Sequence, residues 1–257
     1  MQTKHTDSQT HPPEDDGVQL VTPNPAADEQ LLYFTSSSVT SDDKSLTYLS
    51  NLERDVNAYT IDLGSGSVGG RSANSEGMLR SYVYYHGQPM RGLGIASLAL
   101  HEGSGTLYYL QGRAVMKSEL GKRPRKLAEY PAGQVTRFTH VSADGSRICV
   151  PTVDEKALEG CDHEDHEESF HVDARVRSLG LSSYLRVYDT QAGKEVVTEE
   201  VRGGWVTHVQ FNPRDPSLIL YNHEHTFQDC GIRRMWLFDG STHRQLRTEN
   251  DGRSRND

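Results

Sequence analysis

The sequence predicts an all-β chain folded as a β-propeller with four-stranded antiparallel blades. Three observations point there. Four segments repeat one grammar, a short alternating strand, a turn built on Asp, Gly or Pro, and a second strand rich in β-branched and aromatic residues. Each segment is followed by another Gly-bearing hairpin, so every unit supplies four strands, at the ~40–60-residue spacing of propeller blades. No long window carries the 3.6-residue period of a helix, although 113–128 is ambiguous.

Residues 1–30 begin "MQTKHTDSQTHPPEDDG", a polar, Pro-containing stretch expected to be a disordered lead-in. It holds no hydrophobic segment of the signal-peptide type. The blades are expected over 31–257. The first pairs "SVTSDDKSLTYLS" with "NAYTIDLGSGSV", and Asp42-Asp43 turns its hairpin. The second pairs "SLALHEGSGTLYYLQG" with "RAVMKSELGKRP", around Gly103-Ser104-Gly105. The third pairs "THVSADGSRICVPT" with "YLRVYDTQAGKEVV", with a polar acidic insert at 154–180 between them. The fourth pairs "THVQFNPRDPSLILYN" with "RRMWLFDGSTHRQL". Propellers close with ~4–8 blades, and the absence of an obvious closing strand before "DGRSRND" leads us to expect part of a larger propeller.

Composition narrows the function classes. Hydrophobic residues make up 34% of 257, and mean hydropathy is -0.68, so the core must be divided among thin layers. A formal charge of -9 disfavours nucleic acid, whose phosphates call for a basic face. No apolar run reaches the ~18 residues of a membrane span. Cys149, Cys161 and Cys230 are odd in number and widely spaced, which argues against a disulfide framework and for a reducing, cytoplasmic setting.

Candidate chemistry concentrates late in the chain. His223 and His225 in "LILYNHEHTFQDCGIRRMWLFDG" share one face of an extended segment, since side chains alternate with period two. Two imidazoles on one face suit a borderline divalent metal, and equally suit a strand end whose polar groups meet the backbone. The insert "CDHEDHEESFH" spaces Cys161, His163, His166 and His171 as zinc could use them, but its many carboxylates also read as a solvated loop. Arg175, Arg177, Arg233 and Arg234 could pair the carboxylate of an anionic sugar or the chain's own acids. Only one of Arg233 and Arg234 can face the channel. No GxSxG elbow, Walker loop or dinucleotide fingerprint is present.

The run "WVTHVQFNPRDPSLILYNHEHTFQDCGIRRMWLFDGSTHRQLRTENDGRSR" resembles the oligogalacturonate lyase family of pectin breakdown, and "FTHVSADGSRICVPT" and "SSYLRVYDTQAGKE" look like its earlier blades. The resemblance implies a cytoplasmic seven-bladed propeller, here lacking its C-terminal blades. It further implies a divalent metal, manganese above all, that helps cleave short galacturonides by β-elimination. His223 matches the family's metal histidine, with His225 a lesser candidate. His208 matches a histidine near the family's site and, with Arg234 chosen by residue type, is a candidate to contact substrate; His171 is the candidate base and Arg175 a candidate substrate arginine. The alternative is a non-catalytic propeller that binds carbohydrate or protein.

Overall fold

The computed structural model describes residues 27, 29–51, 55–75, 78–79, 93–94, 98–159, 170–224 and 233–246. These form four sheets in chain order, and the β-propeller expectation holds. The first blade runs β1 (Glu29–Leu31), β2 (Ser45–Ser50), β3 (Asn57–Asp62) and β4 (Val68–Gly70), each antiparallel to the next. Its first strand takes in Glu29 and Gln30, which the sequence reading had assigned to the disordered lead-in. They are held by ladder pairing to Ser50 and Leu49.

The second blade comprises β5 (Met78–Leu79), β6 (Leu93–Gly94), β7 (Ala99–His101), β8 (Thr106–Gln111), β9 (Ala114–Ser118) and β10 (Arg125–Glu129). Both β6 and β7 pair with β8, so the inner strand is made in two pieces, and β5 lies parallel to β6. The ambiguous stretch 113–128 is resolved as the β9–β10 hairpin. In the third blade the inner strand is again split, into β11 (Gln134–Thr136) and β12 (His140–Val141), both paired to β13 (Arg147–Asp154). Then come a 3-10 turn (Glu155–Leu158), α1 (Phe170–Ser178), β14 (Ser182–Asp189) and β15 (Glu195–Arg202). The fourth blade is β16 (Val206–Phe211), β17 (Ile219–His223), β18 (Met235–Phe238) and β19 (His243–Gln245).

The acidic insert is therefore not all loop. Val172 and Val176, one turn apart, are fully buried against Val135, Val153 and Trp205, which gives α1 the apolar support that a scan of the insert's composition overlooks. Nine residues are too few to carry a visible helical period. No described helix is long and apolar enough to cross a membrane.

Each seam between blades is closed by a thin apolar layer. Alternation on β8 sends Leu107 and Tyr109 towards the first blade, with Leu49 and Ala58, and Tyr108 and Leu110 towards the third, with Ile148 and Val150. Between the third and fourth blades Leu185, Val187 and the free thiol of Cys149 meet Val209, Phe211 and Tyr221. A low overall apolar content suffices because each layer lies between the facing sides of two sheets.

Aspartates fix several of the turns. Asp42, Asp62, Asp144, Asp189, Asp215 and Asp239 each accept a backbone N–H two or three residues on, which fixes the hairpin. These hydrogen bonds hold each carboxyl below its ordinary range. Six of the 36 acidic residues thus serve turns.

One buried cation ties the first blade to the second. Arg71, 3% exposed, donates from Nη1 to Thr60 Oγ1 at 2.8 Å and from Nη2 to the carbonyls of Gly105 and Ser118 at 2.7 and 2.6 Å. Burial lowers its pKa to about 10, and no described carboxylate pairs with it. Arg71→Ala leaves these acceptors unpaired in a dry seam and is expected to cost about 2–3 kcal/mol, read as a lower urea midpoint. An unchanged midpoint would show that the seam does not depend on it.

Candidate functional site

The fourth blade's inner strand carries one residue too many. Val206 stands opposite His223 and Val209 opposite Tyr221, so Thr207 and His208 together face Asn222. Asn222 Oδ1 takes over the lost ladder partner: it accepts the His208 N–H at 2.8 Å and lies 3.1 Å from Thr207 Oγ1. Just past β17 the Glu224 N–H donates to the Trp205 carbonyl at 3.0 Å, which keeps the chain extended for one more residue.

Glu224 therefore points to the face opposite His223, where Thr207 and His208 lie. Its Oε2 accepts from the Thr207 hydroxyl and is 3.6 Å from His208 Nδ1. Burial alone would raise this carboxyl. With His208 protonated, hydrogen bonds from His208 and Thr207 and the charges of His208 and Arg137 outweigh burial and hold it at about 2. Thr207 Oγ1 is also 2.8 Å from His208 Nδ1. When the His208 ring is neutral, the carboxylate, which only accepts, takes the single Thr207 hydrogen, and the hydroxyl oxygen accepts the hydrogen bond of Nδ1–H. That assignment leaves the Nε2 lone pair of His208 without a bond to any described residue.

The His208 ring stacks on Phe138, with centroids 4.1 Å apart and planes within 15°. Phe138 sits in the break between β11 and β12, and its N–H donates to the Thr207 carbonyl at 3.0 Å, bridging the third and fourth blades. Phe138 also stacks on Tyr33 of the first blade, at 4.2 Å. Beside this stack lies a pocket of about 230 Å³ whose lining includes Phe34, His208, Asn222, Arg234 and Met235. The structure thus brings His208 and Arg234, chosen separately from sequence, onto one cavity.

The other sequence candidates lie elsewhere. His223 is 3% exposed and turned into the seam with the third blade. A Cβ on Gly204 would come within 1.9 Å of its Nδ1, so only glycine fits beside it. That Nδ1 is buried without a described hydrogen-bond partner, and burial, assisted by His243, lowers the imidazole to about 4. His225, like Cys161, His163 and His166, lies outside the described residues. His171 and Arg175 both belong to α1. Arg175 Nη2 donates to the Lys156 carbonyl at 2.9 Å and so braces the helix on the 3-10 turn. Among the described residues no three His, Cys, Asp or Glu side chains gather as a metal would require. They supply one candidate donor, His223, and do not fit a metal by themselves.

Two features escaped the sequence reading. Period-two alternation places Glu224 on the face opposite His223. What could not be read was the bulge that moves His208 to meet it. A larger cavity of about 570 Å³ lies at the hairpin ends of the inner strands, lined in part by His101, Glu102, His140, Ser142 and Gln210. There His140 Nδ1 accepts the Phe211 N–H at 3.2 Å, and burial lowers the ring to about 4.

No family model matches the sequence, and no curated protein matches it. Solved structures do. An oligogalacturonate lyase in complex with manganese superposes with a TM-score of 0.71 at 18% identity, covering 89% of this chain and 55% of that one. An oligogalacturonate lyase from Vibrio parahaemolyticus also gives 0.71, at 15% identity, over 88% of this chain and 55% of that one. The chain thus spans little more than half the length of the structures it resembles, and at these identities the likeness establishes the fold.

The two buried imidazoles generate a pH prediction. His140 and His223 both titrate at about 4 when folded, below the ordinary ~6.5 of the unfolded chain. Below ~6.5 the unfolded state takes up protons that the folded state refuses. Stability should be full above that pH and fall towards pH ~4, by up to roughly 1.4 kcal/mol per unit for each ring. Urea titrations at pH ~7 and ~5 measure this, and His140→Asn, which keeps an acceptor for the Phe211 amide, should flatten the dependence. An unaltered slope would remove His140 from the account.

Proposed function

We propose that this chain contributes the uronate-binding and proton-accepting wall of a lyase that cleaves short galacturonides by β-elimination. The observation that carries this reading is the convergence of His208 and Arg234 on one pocket. The likeness to two oligogalacturonate lyases supplies the substrate class.

The residues present match the chemistry. Elimination removes the proton on C5, α to the sugar carboxylate, which is weakly acidic while that carboxylate is a free anion. The Arg234 guanidinium pairs the carboxylate and stabilises the enolate-like charge that develops. His208, with its Nδ1 hydrogen given to Thr207, offers Nε2 to take the proton. The electron pair released at C5 forms the C4–C5 double bond, and the glycosidic oxygen leaves from C4 and is protonated. A bound divalent cation would spread the same charge as a Lewis acid. The described residues do not assemble its donor set, so no step here is assigned to it.

One observation favours a second reading, a propeller that binds galacturonides without turning them over. The family-matching His223 is packed against Gly204 in the seam, where an imidazole serves the fold.

Incubation of the 257-residue chain with digalacturonate, with and without manganese, separates the two. The lyase reading expects an unsaturated uronate product, and His208→Ala should lower kcat by about 10²–10⁴-fold while Arg234→Ala chiefly weakens binding. Binding without product in either condition favours the second reading. Neither binding nor product would sink both.

A further inference from the structure

Tyr33 and Phe34 lie between β1 and the point where the first blade's inner strand resumes pairing. Leu31 pairs with Tyr48, and the next bridge to β2 is Val39 with Leu46, so the intervening residues leave the sheet and project inward. They end against the fourth blade. The rings of Phe34 and Tyr33 are 4.2 Å apart, Tyr33 and Phe138 4.2 Å, Phe138 and His208 4.1 Å, and Phe34 and His208 6.2 Å, giving a cluster of four rings from three blades. Within this cluster Phe34 is 79% exposed, although the same ring lines the pocket that holds His208 and Arg234.

An exposed phenyl ring held by ring stacking, beside a cationic side chain in a concave site, has the chemistry of a sugar-acid subsite. Phe34 offers a flat apolar surface. The galacto configuration presents a matching one, because the hydrogens on C3, C4 and C5 lie on a single side of the pyranose. We propose that Phe34 stacks against this apolar face of one galacturonate ring and anchors it in the pocket. The proposal rests on the lyase reading above and deepens it.

The stereochemistry also decides which ring is held. The C5 hydrogen lost in the elimination belongs to the very face that Phe34 would cover. A base cannot reach that hydrogen while the face is stacked. The ring on Phe34 is therefore the neighbour of the reacting one, so Phe34 positions the substrate and selects oligomers over the monomer.

The test uses calorimetry and fluorescence on the full chain with digalacturonate and galacturonate as probes. Phe34 is exposed, so its replacement should leave thermal stability unchanged, and an unshifted unfolding curve checks this. Phe34→Ala should weaken digalacturonate binding by about tenfold with little change for galacturonate, and where turnover is measured should raise KM more than it lowers kcat. Phe34→Trp should keep affinity and give an indole emission that shifts on adding digalacturonate. Equal digalacturonate affinity for wild type and Phe34→Ala, or an unresponsive Phe34→Trp emission with binding intact, overturns the stacking assignment and leaves the lyase reading standing. Failure of the wild type to bind digalacturonate removes the lyase reading, and the assignment with it.

Discussion

The side-chain oxygen of Asn222 replaces a ladder partner that the β16 bulge has lost, and the placement of the candidate site follows from that substitution. A surplus residue in a strand normally leaves backbone groups unpaired and the local twist free to vary. Here one amide oxygen accepts the His208 N–H and lies beside the Thr207 hydroxyl, so both bulged residues are fixed in one arrangement. Because alternation is strict on the unbulged strand, Asn222 and Glu224 share a face while His223 takes the other. The carboxylate thereby arrives where the bulge presents Thr207 and His208. Without the bulge, His208 would sit one register step away and the relay from Nδ1 through Thr207 to Glu224 would not close.

Thin seams leave little apolar area to hold four blades together, and buried polar links add orientation to burial. Arg71 binds the first blade to the second. Between the third and fourth, the buried Asp173 carboxylate accepts the Trp205 N–H at 2.7 Å, and Ser183 accepts the Val206 N–H at 3.0 Å while donating to the Gly204 carbonyl at 2.9 Å. Each such bond contributes only about 1 kcal/mol net, but leaving one group unpaired in a dry seam costs about 1–3 kcal/mol. The links therefore select one blade-to-blade geometry more than they deepen stability. The same seam positions His223 under Gly204, which is why an imidazole buried there is held neutral.

Blade order and hairpins were legible because Asp, Gly and Pro turns and period-two strands are local signals. The turn aspartates announce themselves by type and position, and the structure uses them as the residue pattern indicates. The helix α1 was not legible, since its two buried valines find their partners in β11, β13 and Trp205, far away in sequence. His208 and Arg234 could each be singled out by residue type, but their meeting depends on the bulge and on the β17–β18 pairing. Tyr33 and Phe34 gave no signal at all. Their role depends on how many residues the first blade's inner strand sheds between two ladder bridges, a register property that a sequence does not display.

A site assembled from strand interruptions has a physical rationale. Within an unbroken inner strand one edge of the backbone is spent on the neighbouring strand, and side chains alternate between two apolar seams. Interruption frees a few residues from both demands at mid-channel. The break at 137–139 in the third blade shows the consequence. Phe138 spends its N–H on the Thr207 carbonyl of the next blade and lays its ring on His208. Arg137, one residue earlier, places its guanidinium 4.3 Å from the Trp205 ring centroid, and its charge helps keep Glu224 ionised. One interruption thus supports the imidazole by stacking and biases its partner carboxylate by charge, so the His208–Glu224 pair belongs to the junction of two blades and not to either alone.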